Sequence, residues 1–222
     1  MRIALFTHST NPRGGPVHAL ELAGALQAQG HDATIFAPDT EGCGFFRRTN
    51  ARQLAIPAAR CPDLHALVAT RVSEIAGYIL DRPHEDFDVW HAHDTITANA
   101  LARVQDHGRI AGFVRTVHHL DSFADRRLDD WQRTGIDRAE ELFAVSRRTR
   151  DDLARRTGRR AVLTGNGVEP ARFTRRPDDT DAPLAARLRL PSAGPTYLAL
   201  GGIETRKNTT AILEAFLRIQ RT

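Results

Sequence analysis

Lysine is almost missing from this chain: Lys207 stands alone against thirty arginines in 222 residues. Cysteine is equally scarce. Cys43 and Cys61 are the only two, too few for a disulfide framework, so the expected compartment is the reducing cytoplasm. No apolar run approaches the ~18–20 residues that a bilayer span needs, which argues against an integral membrane protein. The first residues turn polar at Thr7 after four apolar positions, too short a stretch for a signal-peptide core. Aromatic residues make up 6%, and none of the basic stretches interleaves with them as a nucleic-acid groove would, so no nucleic-acid partner is expected. A formal charge of +4 leaves a basic surface compatible with phosphorylated substrates or peripheral membrane contact.

What is present is a globular composition, 41% hydrophobic, with length for about one and a half domains at roughly 150 residues each. Short apolar runs alternate with longer amphipathic stretches, the pattern of βαβ units. Strands are expected at 2–7, 32–37, 52–57, 87–91, 111–117, 141–145 and 160–164. Helices are expected at 17–29, 64–80, 96–105, 125–137 and 146–156, the last opened by Ser146 as N-cap. The fold class is therefore α/β: a Rossmann-like parallel sheet with helices on both faces over 1–173. Four prolines and an acidic run mark 174–195 as a linker, although 184–190 could form a helical turn. A strand at 196–200 and a helix at 209–220 then restart the alternation, so 196–222 is expected to open an incomplete second Rossmann-like domain. Its stripe of Ile212, Ala215, Phe216 and Ile219 would lack a sheet, inviting self-association through 196–222 and leaving little catalysis to these residues alone.

Three constellations carry chemistry. Gly14-Gly15 stands where the first strand gives way to a helix, and glycines there let backbone approach a phosphate or sugar hydroxyl; the dinucleotide spacing is absent. A plain flexible turn is the alternative. His91-Ala92-His93-Asp94 and Thr116-Val117-His118-His119 end two strands, where ligands of open α/β sheets bind. His91 and His93 share a side of an extended chain. They could ligate a metal, with Asp94 orienting one, or split into one buried histidine and one facing the site. Neutral imidazole at His118 suits a hydroxyl or phosphate at pH 7. Last, Gly201-Gly202 followed by Arg206-Lys207 before a helix would cradle phosphate with two cations and free N–H groups.

In this order, those residues resemble the GT-B glycosyltransferases of the family-4 type, retaining enzymes that use nucleotide-sugar donors. The resemblance extends to Ser146 opening a helix, to Asn166-Gly167-Val168 leading to Phe173, and to 201–216 as the start of a donor-binding domain. It implies that His118 is catalytic and that Gly14, Gly15, Arg206 and Lys207 bind the donor. It makes His93, Asp94, His119, Ser146 and Asn166 candidates for the substrate site, with no metal. The nucleotide-sugar is then a substrate and no cofactor is implied; the acceptor is an unspecified hydroxyl. Gly202 stands where the family has arginine, Asn208 where it has glycine, and His119 where it has an acid. The chain also ends before the family's glutamate pair, so most of the donor site is expected to be lacking. Open alternatives are a metallohydrolase built on His91, His93 and His118 or His119, a noncatalytic glycan-binding remnant, and a related GT-B sugar epimerase.

Overall fold

The computed structural model describes residues 1–173, 178–199, 203 and 207–219. It divides into two compact units, Met1–Arg172 and Phe173–Thr222. In the first unit seven strands run parallel: β1 (Arg2–Phe6), β2 (Asp32–Asp39), β3 (Arg52–Pro57), β4 (Val89–Ala92), β5 (Val114–Val117), β6 (Leu142–Ala144) and β7 (Val162–Leu163). Their order is β3-β2-β1-β4-β5-β6-β7, with Leu5 facing both Ile35 and His91 across the ladder. A parallel sheet buried on both faces needs near-continuous apolar strands. β1 supplies one, with four of its five residues buried.

Five helices connect these strands: α1 (Gly14–Ala28), α2 (Leu64–Leu80), α3 (Thr95–Asp106), α4 (Arg126–Asp137) and α5 (Arg147–Thr157). Polar side chains start most of them by accepting otherwise unpaired N–H groups. Asp63 caps α2, Asp94 caps α3, Asp125 caps α4 and Ser146 caps α5. The helices lie on both faces of the sheet, but unequally. α2 to α5 share one core with Ala4, Phe6, Trp90, Ala92, Phe113, Val117 and Leu142. α1 alone packs on the other face, through Ala19, Leu20 and Ala23 against Ile3, Leu5, Ala33 and Ile35.

Several boundaries differ from the sequence reading. α1 starts at Gly14 rather than at 17, so the glycine pair forms its first turn instead of a preceding loop. Pro16 permits this: in the first turn its missing N–H has no intrahelical partner to lose, so proline is tolerated there. β4 lies at Val89–Ala92 instead of 87–91, and β5, β6 and β7 are shorter than expected.

The second unit contains α6 (Asp181–Arg187), inside the stretch read as a linker, and α7 (Thr209–Ile219). No strand forms over 196–199, the described part of the expected 196–200 strand. A strand needs a hydrogen-bonded neighbour, and the described residues of this unit hold none. Tyr197 instead sets its ring edge-on to Phe216, 5.5 Å between centroids. Ile212, Leu213, Leu217 and Ile219 of α7 are exposed. Among the described residues no helix is long and apolar enough to cross a membrane.

Candidate active site

All strands being parallel, their carboxyl ends meet at one edge. Side chains alternate along each strand, so His91 and His93 from β4 and Thr116 and His118 from β5 face the same side, the one that carries α1. There they meet the first turns of α1. A Cβ built on Gly15 would lie 3.8 Å from His118 Cδ2 and 4.0 Å from the His93 carbonyl oxygen, whereas one on Gly14 would meet nothing within 4 Å. Gly15 and His118 therefore share a rim, which is the arrangement expected if backbone and imidazole approach one ligand. No positive φ is recorded at either glycine. Their value here is closeness, not unusual conformation.

Behind His118 stands a stack of rings. His91 and His93 lie 4.3 Å apart and nearly parallel, and His18 of α1 sits 5.5 Å from His93 and 5.0 Å from His118. His91 Nε2 is 2.8 Å from the Thr116 hydroxyl. His93 is 1% exposed, and neither of its ring nitrogens has a hydrogen-bond partner among the described residues; nor has His118 Nε2. Burial among like groups disfavours protonation. Burial first, then the neighbouring imidazoles His18 and His118, pushes His91 down to about 3. Burial does the same to His93, well below its ordinary value. His118 is pushed down to about 4 by burial and by His18, against the pull of Asp94. At neutral pH the cluster is uncharged. Among the described residues no group of three or more His, Cys, Asp or Glu side chains is placed to hold a metal ion.

Asp94 does not orient His91 or His93. Its carboxylate caps α3, accepting from Thr97 N–H at 2.9 Å, and pairs with His8 Nδ1 at 3.3 Å. Burial opposes its ionisation, yet the hydrogen bonds from His8 and Thr97 and the charge of Arg115 hold it below the usual carboxylate range. The carboxylate leans toward β1 because its cap role fixes it at the mouth of α3. His119 turns outward, exposed, and pairs with Asp121 at 3.2 Å. Ser146 spends its hydroxyl on the cap of α5, accepting from Thr149 N–H at 3.0 Å. Thr149 in turn donates to the His118 carbonyl at 3.3 Å, so Ser146 supports the site from behind. Asn166 reaches α1, where its Oδ1 accepts from His18 Nδ1 at 3.1 Å. Lys207 is exposed in the second unit. Arg206, together with Gly201 and Gly202, lies outside the described residues.

His18 is the cluster member that the sequence reading missed. Its signal was available: it lies one helical turn after Gly15, on the same face. The α1 side of the sheet also holds a cavity of about 770 Å³, lined by Leu26, Val89 and Phe143 together with His18, His91 and Thr116. It lies where α1 leaves the face of β4 to β6 without a helix.

The family model "Glycosyltransferase Family 4" matches residues 12–172, which spans Gly15, the histidine cluster and Asn166. The chain belongs to glycosyltransferase family 4. Solved structures agree on the architecture of a GT-B amino-terminal domain. Sucrose-phosphate synthase from Thermosynechococcus elongatus superposes with a TM-score of 0.76 at 17% identity, over 98% of this chain and 60% of that one. The catalytic domain of starch synthase IV from Arabidopsis thaliana, bound to ADP and acarbose, gives 0.64 at 13% identity, over 87% and 60%. UDP-GlcNAc 2-epimerase from Methanocaldococcus jannaschii gives 0.52 at 18%, over 74% and 45%. The chain thus spans about three fifths of the length of the two glycosyltransferases. A comparison with curated protein sequences yields no match.

Proposed function

We propose that the chain supplies the acceptor-side half of an enzyme that moves a sugar from a nucleotide-sugar donor to an acceptor hydroxyl, with retention of anomeric configuration. The observation that carries this reading is the rim shared by Gly15 and His118. The start of α1 offers backbone N–H groups and a positive dipole end to an anion, which suits a diphosphate. His118 stands beside it as a neutral imidazole, suited to a hydrogen bond with a sugar hydroxyl. In the reaction the bond from the anomeric carbon to the diphosphate oxygen breaks. The acceptor oxygen bonds to that carbon on the face the diphosphate leaves, and the hydroxyl proton passes to the departing phosphate. Positioning and charge stabilisation would provide most of the acceleration.

Lys207, with Arg206, is proposed as the donor-side cation pair. His93, Asp94, Ser146 and Asn166 support the rim rather than touch the sugar, and His119 faces solvent beside it. Nucleotide-sugar is the small-molecule partner, and the cytoplasm, where such donors are made, is the proposed setting.

The test is incubation of the whole enzyme to which this half belongs with a panel of nucleotide-sugars and hydroxyl acceptors, scored by release of nucleoside diphosphate and mass of the product. Glycosylated product that disappears with His118→Ala supports the reading. An epimerised free sugar or a metal-dependent hydrolysis product would replace it, and binding of glycans with no response to any nucleotide-sugar would reduce the chain to a binding module.

A further inference from the structure

His118 is held by little hydrogen bonding. Its Nε2 has no partner among the described residues, and the bond from Thr149 reaches only its main-chain carbonyl. A ring without such bonds takes its orientation from what packs on it. Among the described residues the rings of His93 and His18 pack on it, with Gly15 opposite. Of these, His18 meets it edge-on, at 80° and 5.0 Å between centroids. His18 is itself tied, 9% exposed and donating from Nδ1 to Asn166 Oδ1 at 3.1 Å.

Asn166 belongs to the segment that leaves β7, and that segment is fastened to α1 a second time. One turn beyond His18, Glu21 accepts from Glu169 N–H at 2.9 Å and from Arg172 at 2.6 Å. Both fastenings lie on one face of α1, since positions three apart are neighbours on a helix. They differ in one respect: only the His18 fastening reaches His118.

We infer that His18, held by Asn166, is a positioning residue for the His118 imidazole. The pair fixes the ring through an edge contact and makes no contact with the reacting atoms. The inference rests on His118 being the sugar-facing group of the proposed transfer. Misplacing such a group by about an ångström is enough to cost one to two orders of magnitude in rate.

The experiment uses the whole enzyme carrying His18→Ala, Asn166→Ala, both together, Asn166→Asp, and Glu21→Gln as the comparison that loosens the other fastening. Two measurements are made: the ring ¹H–¹³C resonances of His118 by NMR, and kcat and KM separately in the transfer assay. The expected result is that both single variants displace the His118 resonances and lower kcat by about tenfold, with donor KM within about twofold. The double variant falls no further than the weaker single. Asn166→Asp, which keeps an acceptor for Nδ1–H, restores the ring signals, and Glu21→Gln leaves them in place.

Unmoved resonances in Asn166→Ala, additive losses in the double variant, or an equal displacement by Glu21→Gln would each overturn the inference. Because Asn166 is exposed, its variants stay informative even where His18→Ala unfolds. A wild-type whole enzyme that transfers no sugar removes the reading of the reaction, and the NMR comparison still decides whether the pair orients His118.

Discussion

Gly15 and His118 face each other from two elements distant in sequence: a methyl group placed on the glycine would stand 3.8 Å from Cδ2 and 3.9 Å from Nε2 of the imidazole. That is ordinary contact, so alanine fits without displacing the ring. Gly15 also lies in a helix, where alanine is favoured over glycine by roughly 0.5–1 kcal/mol. Gly15→Ala should therefore melt no lower than the parent, as followed by circular dichroism, yet lose most of its transfer activity because the methyl occupies the approach to the rim. Lower stability together with retained turnover would show that the glycine serves the fold instead.

The histidine stack makes the fold sensitive to acid in an unusual window. His18, His91, His93 and His118 all have pKa values below the ordinary 6.5, burial being the first cause in each. The unfolded chain takes up protons near pH 6.5 that the folded chain refuses. Their contribution is thus complete above that value and is lost as pH falls toward their folded values, about 4 for His118 and about 3 for His91, at up to about 1.4 kcal/mol per pH unit for each imidazole. His8 works the other way. Burial pulls it down, but the hydrogen bond and charge of Asp94 prevail and its pKa is raised, so its smaller contribution is present below pH 6.5 and fades above its folded pKa. Urea midpoints should drop between pH 6.5 and 5, before most carboxylates titrate, and His93→Gln should flatten that slope.

His118, pushed down to about 4, stays neutral throughout the physiological range. Its ionisation should leave no inflection in kcat/KM between pH 6 and 8. An inflection near 6.5 that vanishes in His118→Asn would mean that the imidazole is charged during turnover.

Much of this arrangement could be read from residue order. Ser146 before a helical run announced its cap, and His118 after an apolar run announced the end of a strand. The partner of Asp94 was not readable in the same way. His8 becomes its neighbour only because β1 lies beside β4, and strand order is a property of the folded sheet rather than of local spacing. The glycine pair reads as a loop, and the helix as starting one turn too late, because Gly-Gly-Pro favours loops locally while the packing of Ala19, Leu20 and Ala23 draws the helix back over it. His18 was hidden for a related reason: buried between Pro16 and Leu20, it resembles any core position of an amphipathic helix until Asn166, 148 residues away, is seen to reach it.

A final substitution probes the packing behind the site. At the crossing of α3 and α4, a Cβ on Gly135 would fall 2.9 Å from the Ala98 methyl and 2.6 Å from Arg115 Nη1. Neither can yield easily, because Ala98 is wholly buried and Arg115 is bonded to the Gln132 carbonyl and the Thr95 hydroxyl. Gly135→Ala should cost about 1–3 kcal/mol in urea unfolding. A change under half of the lower figure would mean that the two helices separate more readily than their packing indicates.

The uniform direction of the seven strands has a practical corollary for engineering. The turns that feed β2, β5 and β7 contain Gly30, Gly108 and Gly158 at positive φ, all on the border opposite the histidines. Exposed neighbours of those glycines, such as Gln29, His107 and Arg160, offer attachment points for fluorophores, affinity tags or surface immobilisation. Probes anchored there would report on substrate capture from behind, without standing in its way.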